Sequence, residues 1–271
     1  ARLTDNPIYM ATGYMSTLQS LPEPLRSQML YGDFKAGMTD DPWQVIPTKW
    51  VEIAQDRWRE RLPKPRMASV GVDVARGGDD QTVIARVSED LWFDKLLEYP
   101  GKETPDGPTV AAYTIAANHD HAPIHIDVIG VGASPYDFLR EARQQVLGIN
   151  VSEKSNATDK SGRLSFLNQR SELWWKFREL LDPTANNGVA LPPGRDILRE
   201  LTAPKWTLRG STIYVEGREE IKKRLGYSPD RASAMILAMV RTPRSEVGRK
   251  GYSSASEPAM GRRSYNPFSG R

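Results

Sequence analysis

The stretch from Met67 to Val87, MASVGVDVARGGDDQTVIARV, constrains the fold of this chain more than any other. Val70, Val72 and Val74 alternate with Ser69, Gly71 and Asp73, the period-two pattern of a strand. Residues 75–80 carry two glycines and two aspartates and read as a tight turn, after which Gln81 to Val87 resumes as a β-branched strand. The pattern predicts a β-hairpin with Asp73 in the middle of its first arm. Aspartate is depleted in strands and is rarely buried unless paired, so an apolar strand carrying one requires something to answer it.

Two other acids answer it. Asp127 lies inside PIHIDVI, residues 123–129, a second short apolar strand. Asp230 opens the helix SPDRASAMILAMV, with Ser228 expected as N-cap and Pro229 as first helical residue. Three acids separated by 54 and 103 residues, two on strands and one at a helix start, have the chemistry of a two-metal site. Such a site needs hard oxygen ligands on rigid elements, holding two Mg²⁺ or Mn²⁺ ions about 3.5–4 Å apart around a phosphodiester. Each acid also has a structural alternative. Asp73 and Asp127 could pair with a buried Arg or Lys, and the helix dipole alone favours Asp230.

Composition narrows the class. With 271 residues and 39% hydrophobic content the chain can form one large domain, or one domain with an appendage, around a true core. No run approaches the roughly 18 apolar residues of a membrane span, and the N-terminus lacks a signal-peptide pattern, so a soluble intracellular protein with no membrane partner is expected. The absence of cysteine excludes disulfides and thiolate metal sites, leaving oxygen or imidazole as ligands. His119, His121 and His125 form no convincing ligand set; His125 alternates with Asp127 and reads as a histidine at the edge of the core.

The segments GVDVARGGDDQTVI, HIDVIGVGASPYDFL and IKKRLGYSPDRASAMILA, in that order, resemble the C-terminal nuclease domain of the large subunit of tailed-phage DNA-packaging terminases. DNPIYMATGYMSTLQSLPEPLRSQMLYGDF is similar to the segment that joins that family's ATPase domain to its nuclease, so the likeness spans roughly residues 1–241. The resemblance implies an α/β fold with an RNase H-like mixed sheet, an antiparallel hairpin plus parallel strands, flanked by helices and preceded by a short, mostly helical linker. It implies Asp73, Asp127 and Asp230 as catalytic ligands of two divalent cations, Mg²⁺ or Mn²⁺, with Asp80, in a DxT pattern with Thr82, as an auxiliary acid. Lys222 is implied as a possible phosphate contact, against the plainer reading of solvated helix charge. The family often reads SPDxADA, whereas Ser233 stands here at the position of the second acid. The implied activity is endonucleolytic cutting of concatemeric double-stranded viral DNA during packaging into procapsids, in the cytoplasm of the infected bacterial host. The implied partners are DNA, the small terminase subunit, the portal protein and other copies of the chain. No GxxxxGK[ST] loop occurs, and the sequence starts at Ala1, so the ATPase motor is expected upstream in a longer protein. A Holliday-junction resolvase or transposase-type nuclease would use the same acids. A non-catalytic DNA-binding packaging module would keep them only for structure.

Three regions are expected. Residues 1–66 form a proline-broken linker or the end of the ATPase domain, with helices at Pro24–Leu30 and Thr48–Arg61, the latter carrying Trp50, Ile53, Ala54 and Trp58 on one stripe. Residues 67–241 form the nuclease domain. After the hairpin it is expected to add a third strand at Leu91–Tyr99, a helix at Thr109–Asn118, the Asp127 strand parallel to the first, a helix at Tyr136–Gln145 and a fifth strand at Ile149–Val151. A polar loop at 152–163, a helix at Leu164–Leu181 with Trp174 and Trp175 in the core, a helix at Asp196–Leu201 and a hairpin at Lys205–Val215 complete it. Residues 242–271 read as a flexible basic tail. From Arg241 on there are seven Lys or Arg against two Glu, while the whole chain is only +3, so attraction for nucleic acid would come from local patches and this arm. A solvated tail that aids solubility is its alternative reading.

Overall fold

The computed structural model describes residues 40–62, 64–75 and 80–240, together with Leu18, Gln19, Leu21, Arg26 and Met29. The hairpin turn with Asp79, the basic tail, and all of Pro24–Leu30 but Arg26 and Met29 lie outside the described residues. Helix α1 (Thr48–Arg57) packs Val51 and Ala54 into the main core with Val45 and Ile46. Of the expected stripe, Ala54 is buried and Trp50 packs part-buried against the same core, with Val51 beside them in place of Ile53. Trp50 lies under the Arg178 guanidinium at 5.0 Å, and Trp58 lies past the helix end, donating Nε1–H to the Phe93 carbonyl at 2.7 Å.

Strands β1 (Met67–Asp73) and β2 (Gln81–Ser88) form the expected antiparallel hairpin, with Val72 opposite Ile84. β1 is buried along its whole length, as befits a central strand covered on both faces. Its alternation divides two environments. Val70, Val72 and Val74 enter one core with Ile84, Val110, Ile124 and Ile126, while Ser69, Gly71 and Asp73 point to the opposite face. Asp73 is the last residue of the strand, not a middle one, because Ala75 beyond it gives its N–H to Thr82 Oγ1 at 3.0 Å.

β3 (Leu97–Pro100) pairs with β2 and starts later than the sequence suggests, because Leu91 takes a turn with φ 64° and Trp92 and Phe93 make only single bridges. Helix α2 (Gly107–Ala117) is capped by Asp106, whose side chain accepts the Thr109 N–H. It crosses over to β4 (Ile124–Asp127), which lies beside β1 and parallel to it, as expected. Helix α3 (Ala133–Glu141) leads to β5 (Val146–Ile149), parallel to β4. This strand ends where it was expected to begin, because Ile149 is already opposite Asp127, and the Val128 N–H takes the Ile149 carbonyl. The strand order β3-β2-β1-β4-β5, antiparallel on one side of β1 and parallel on the other, is the RNase H-like mixed sheet.

The remainder forms a second layer. β6 (Ser165–Phe166), helix α4 (Gln169–Leu181), helix α5 (Arg195–Thr202), β7 (Trp206–Arg209) and β8 (Thr212–Val215) follow, with the strands in the order β6-β8-β7. The helix expected from Leu164 starts only at Gln169. Ser165 and Phe166 pair with Thr212 and Ile213, and Asn168 caps α4 by accepting the Ser171 N–H at 3.0 Å. Trp174 and Trp175 are buried as expected, Trp175 edge-on to Trp206 with centroids 5.0 Å apart.

Two helices close the domain, α6 (Arg218–Leu225) and α7 (Asp230–Ala238). α7 lies directly on β1, and Gly71 is the reason it can. A Cβ at Gly71 would overlap the Ala234 carbonyl and the backbone of Ala238, so the helix rests on bare strand backbone. Ser69 Oγ donates to the Ala238 carbonyl at the far end of the same contact. With Ala238 over Ser69 and Ala234 over Gly71, the antiparallel run of α7 carries its first residue to the level of Asp73. No described helix is long and apolar enough to cross a membrane.

Candidate active site

Val72 is paired with Ile126 in the parallel β1–β4 ladder, so the next residues, Asp73 and Asp127, stand side by side at the C-terminal ends of adjacent strands. Period-two alternation turns both to the face covered by α7. Asp230, the first residue of α7, arrives at the same end through the Gly71 contact, and its Oδ2 accepts the Gln81 N–H at 2.9 Å. Pro229 occupies the N-cap position, and Ser228 does not cap the helix as expected. Its hydroxyl instead accepts Arg218 Nε–H at 2.7 Å.

Arg218 is the residue that sequence reasoning missed. It projects from the first turn of α6 between two of the acids, donating Nη2–H to Asp230 Oδ1 at 2.6 Å and Nη1–H to Asp73 Oδ1 at 3.4 Å. The two distances are unequal, and the consequence is electrostatic. Asp230 holds a short charge-assisted bond, while Asp73 is 4% exposed and receives only the long one. Its other oxygen, Oδ2, is buried without a hydrogen-bond partner among the described residues. Burial, joined by the negative charges of Asp230 and Asp127, pushes the Asp73 carboxyl up to about 7 against the pull of Arg218. Burial also opposes charge on Arg218, yet Asp73, Asp230 and Asp80 together hold its proton more tightly than usual. Burial raises Asp127 as well, opposed by the Ile129 N–H that its Oδ1 accepts at 3.0 Å and by Arg170 and Arg218. Gly132 lets the following loop fold back, since a Cβ there would overlap the Asp127 carbonyl.

Asp80 and Lys222 meet each other. Lys222 Nζ donates to both Asp80 oxygens, at 2.8 and 3.1 Å, on a part-exposed surface at the start of β2. Thr82, the other residue of the DxT pattern, bonds within the fold, to Ala75 and to Thr104 Oγ1 at 2.8 Å. His125 is fully buried in β4. The helix start that carries Asp230 is secured by Glu200 of α5. One of its oxygens accepts the Ala232 N–H at 3.0 Å and the other accepts Arg231 at 2.8 Å. Arg231 is further held by Glu98 at 2.7 Å and Gln81 at 3.2 Å.

The donor set fits a hard cation in kind: carboxylate oxygens on two strand ends and a helix start, one of them buried and unanswered. It is not a closed cage. Among the described residues no three Asp, Glu or His side chains stand together ready to hold an ion, and the Arg218 guanidinium bonds Asp73 and Asp230 at once. This end of the sheet brings the carboxylates Asp73, Asp80, Asp127 and Asp230 near the cations Arg218, Lys222 and Arg170. It retains an excess of negative charge that a bound cation would neutralise.

Fold and site together define a class, an RNase H-like α/β domain with acids at the C-terminal ends of its two central parallel strands and on the helix packed across them. Within that class, the chain has the fold of the nuclease domain of phage terminase large subunits. It superposes on the nuclease domain of the large terminase subunit gp2 of bacterial virus Sf6 with a TM-score of 0.58 at 18% identity, covering 73% of this chain and 99% of that one. A point mutant of the same domain with manganese and beta-thujaplicinol gives 0.58, and a mutant with calcium gives 0.57, with the same identity and coverage. No protein-family model matches the sequence, and no curated protein does.

Proposed function

We propose that this chain is the nuclease part of a terminase large subunit, a metal-dependent endonuclease that cuts double-stranded viral DNA during genome packaging. The observation that carries the reading is the meeting of Asp73, Asp127 and Asp230 at one end of the sheet, with an orphaned oxygen on the buried Asp73. A buried, undercompensated carboxylate destabilises a fold, and such groups concentrate where chemistry is done. The likeness to the Sf6 nuclease domain, crystallised with manganese and with calcium, supports the same reading.

Asp73, from the central strand β1, and Asp127 and Asp230 would together hold two Mg²⁺ or Mn²⁺ ions. Bound there, the cations would lower the pKa of an attacking water and stabilise the leaving 3′ oxygen as the phosphodiester is hydrolysed. Asp127 is oriented by the Ile129 N–H, Asp230 by the Gln81 N–H, and Arg218 neutralises Asp73 and Asp230 while competing with any cation for the same oxygens. Asp80, with Lys222 on it, is auxiliary in this scheme, adding charge at the pocket edge. The reading extends to a linker at 1–66, a nuclease domain at 67–241 and a basic tail at 242–271. Its partners are the small terminase subunit, the portal protein and further copies of the chain, acting on concatemeric DNA in the host cytoplasm.

Plasmid digestion with Mn²⁺ or Mg²⁺, with and without EDTA, tests it. The parent nicks DNA only with metal, and Asp73→Ala does not; equal nicking by both would end the assignment. Cleavage of a four-way junction in preference to linear duplex would favour the resolvase alternative.

A further inference from the structure

We infer that Arg170 is the cation of this site that receives a backbone phosphate of the nucleic acid, an inference that rests on the nuclease reading above. Arg170 is the second residue of α4, after the Asn168 cap and Gln169. Its own N–H bonds the Val151 carbonyl at 2.9 Å, and that of Gln169 bonds the Glu153 carbonyl at 2.8 Å. Val151 lies just past Ile149, the residue of β5 paired with Asp127. These bonds tie the start of α4 to the strand end beside Asp127, and the half-buried Arg170 side chain interacts there with Asp127, Asp73 and Arg218.

Its guanidinium makes no hydrogen bond and no direct ion pair among the described residues. Asp127 and the acids of the neighbouring segments each have another hydrogen-bond partner. Asp127 takes the Ile129 N–H, Glu153 takes Gln169 Nε2 at 3.2 Å, and Glu172 takes Ser155 Oγ at 2.7 Å. Arg218 is bound to Asp73 and Asp230, and Lys222 to Asp80. Among the described residues, Arg170 is therefore the cation at this site whose donors are still to be used.

In the fold a cation at this position is favoured only at a distance, by the charges of Asp127 and Asp73, and is opposed by its surroundings. The first turn of a helix carries the positive end of its dipole, where a cationic side chain is disfavoured. Arg218 is a like charge nearby, and burial draws the Arg170 guanidinium below the usual arginine range, with Asp127 pulling the other way. What the Arg170 donors lack among the described residues is an anion in direct contact. A phosphodiester offers two charged oxygens at the spacing of the guanidinium fork, so an arriving backbone would complete the site. Contact with the phosphate under attack would also favour the charge that develops on it.

The test compares parent, Arg170→Ala, Arg170→Gln and Arg170→Lys by DNA binding and by Mn²⁺-dependent nicking between roughly 50 and 200 mM salt. Removing one phosphate contact makes the slope of log affinity against log salt shallower by about 1. Arg170→Ala and Arg170→Gln are expected to show that change, with kcat/KM lower by roughly 10- to 100-fold. Arg170→Lys regains the slope and part of the rate, and none of the three lowers the thermal midpoint. Parental slope and rate in Arg170→Ala would overturn the inference, as would a loss that tracks a lowered midpoint and is not relieved by lysine. If the parent binds DNA but never nicks it, the nuclease reading fails, while the binding slope still judges Arg170.

Discussion

Replacing Asp73 by Asn separates a functional acid from a structural one, because the two roles predict opposite effects on stability. With its carboxyl pushed up to about 7 in the metal-free fold, Asp73 keeps its proton over a range in which the unfolded chain, titrating at 3.8, has lost it. Below about pH 4 both states are protonated and Asp73 does not affect stability. As the pH rises from about 4 to about 7 the unfolded state ionises first, and the fold loses up to about 1.4 kcal/mol per pH unit. The full penalty, about 4 kcal/mol, applies above pH 7. It is that large because Asp73 is 4% exposed and its only charged hydrogen-bond partner among the described residues, Arg218, stands at 3.4 Å. Asparagine has no such titration. Urea unfolding in EDTA is therefore expected to show Asp73→Asn gaining on the parent by about 3 kcal/mol between pH 5 and pH 8, while metal-dependent nicking is abolished. A gap that stays constant, or one that widens in favour of the parent, would mean that Arg218 fully compensates Asp73. The acid would then be an ordinary buried ion-pair partner, and the argument from its orphaned oxygen would fail.

Three further outcomes follow from the same geometry. Gly71→Ala pushes a methyl group into the backbone of α7 and should destabilise the domain by about 1–3 kcal/mol in urea unfolding. It should also lower nicking at full saturation with metal, since Asp230 rides on that helix; a variant as active as the parent would break the proposed link between Gly71 and the site. Glu200→Ala leaves the part-buried Arg231 and the Ala232 N–H without their shared acceptor and should lower stability by roughly 3–5 kcal/mol, a loss that Glu200→Gln should partly restore. Calorimetric titration of Mn²⁺ into EDTA-stripped protein should show binding to the parent that is weakened at least tenfold in Asp127→Asn, and equal affinities would remove Asp127 from the ligand set.

Local pattern was enough for the hairpin, for β4 beside β1, for the helix that begins at Asp230 and for the burial of Trp174 and Trp175. Alternation and helical spacing are read by the backbone over a few residues, wherever the rest of the chain lies. Element ends were less legible. β3 starts late because Leu91 turns with a positive φ, and α4 starts late because Ser165 and Phe166 find strand partners at Thr212 and Ile213. Both causes depend on residues distant in sequence or on a conformation that side-chain type does not announce.

The three acids could be named from the sequence, since carboxylates on apolar strands are conspicuous. Their cations could not. In GREEIKKRL nothing distinguishes Arg218 from Lys222, Lys223 or Arg224, and Arg170 looks like any charged residue near a helix start. On an isolated helix these side chains would all be equally solvated. They become different only when α7 settles on the bare backbone at Gly71 and the start of α4 is tied to the end of β5, which brings Arg218 onto Asp73 and Asp230 and leaves Arg170 near Asp127 with no hydrogen bond to its guanidinium among the described residues. Composition and spacing determine which chemistry this chain can carry, whereas packing register decides which charges share a low-dielectric pocket, because electrostatic coupling depends on distance and burial and not on order along the chain.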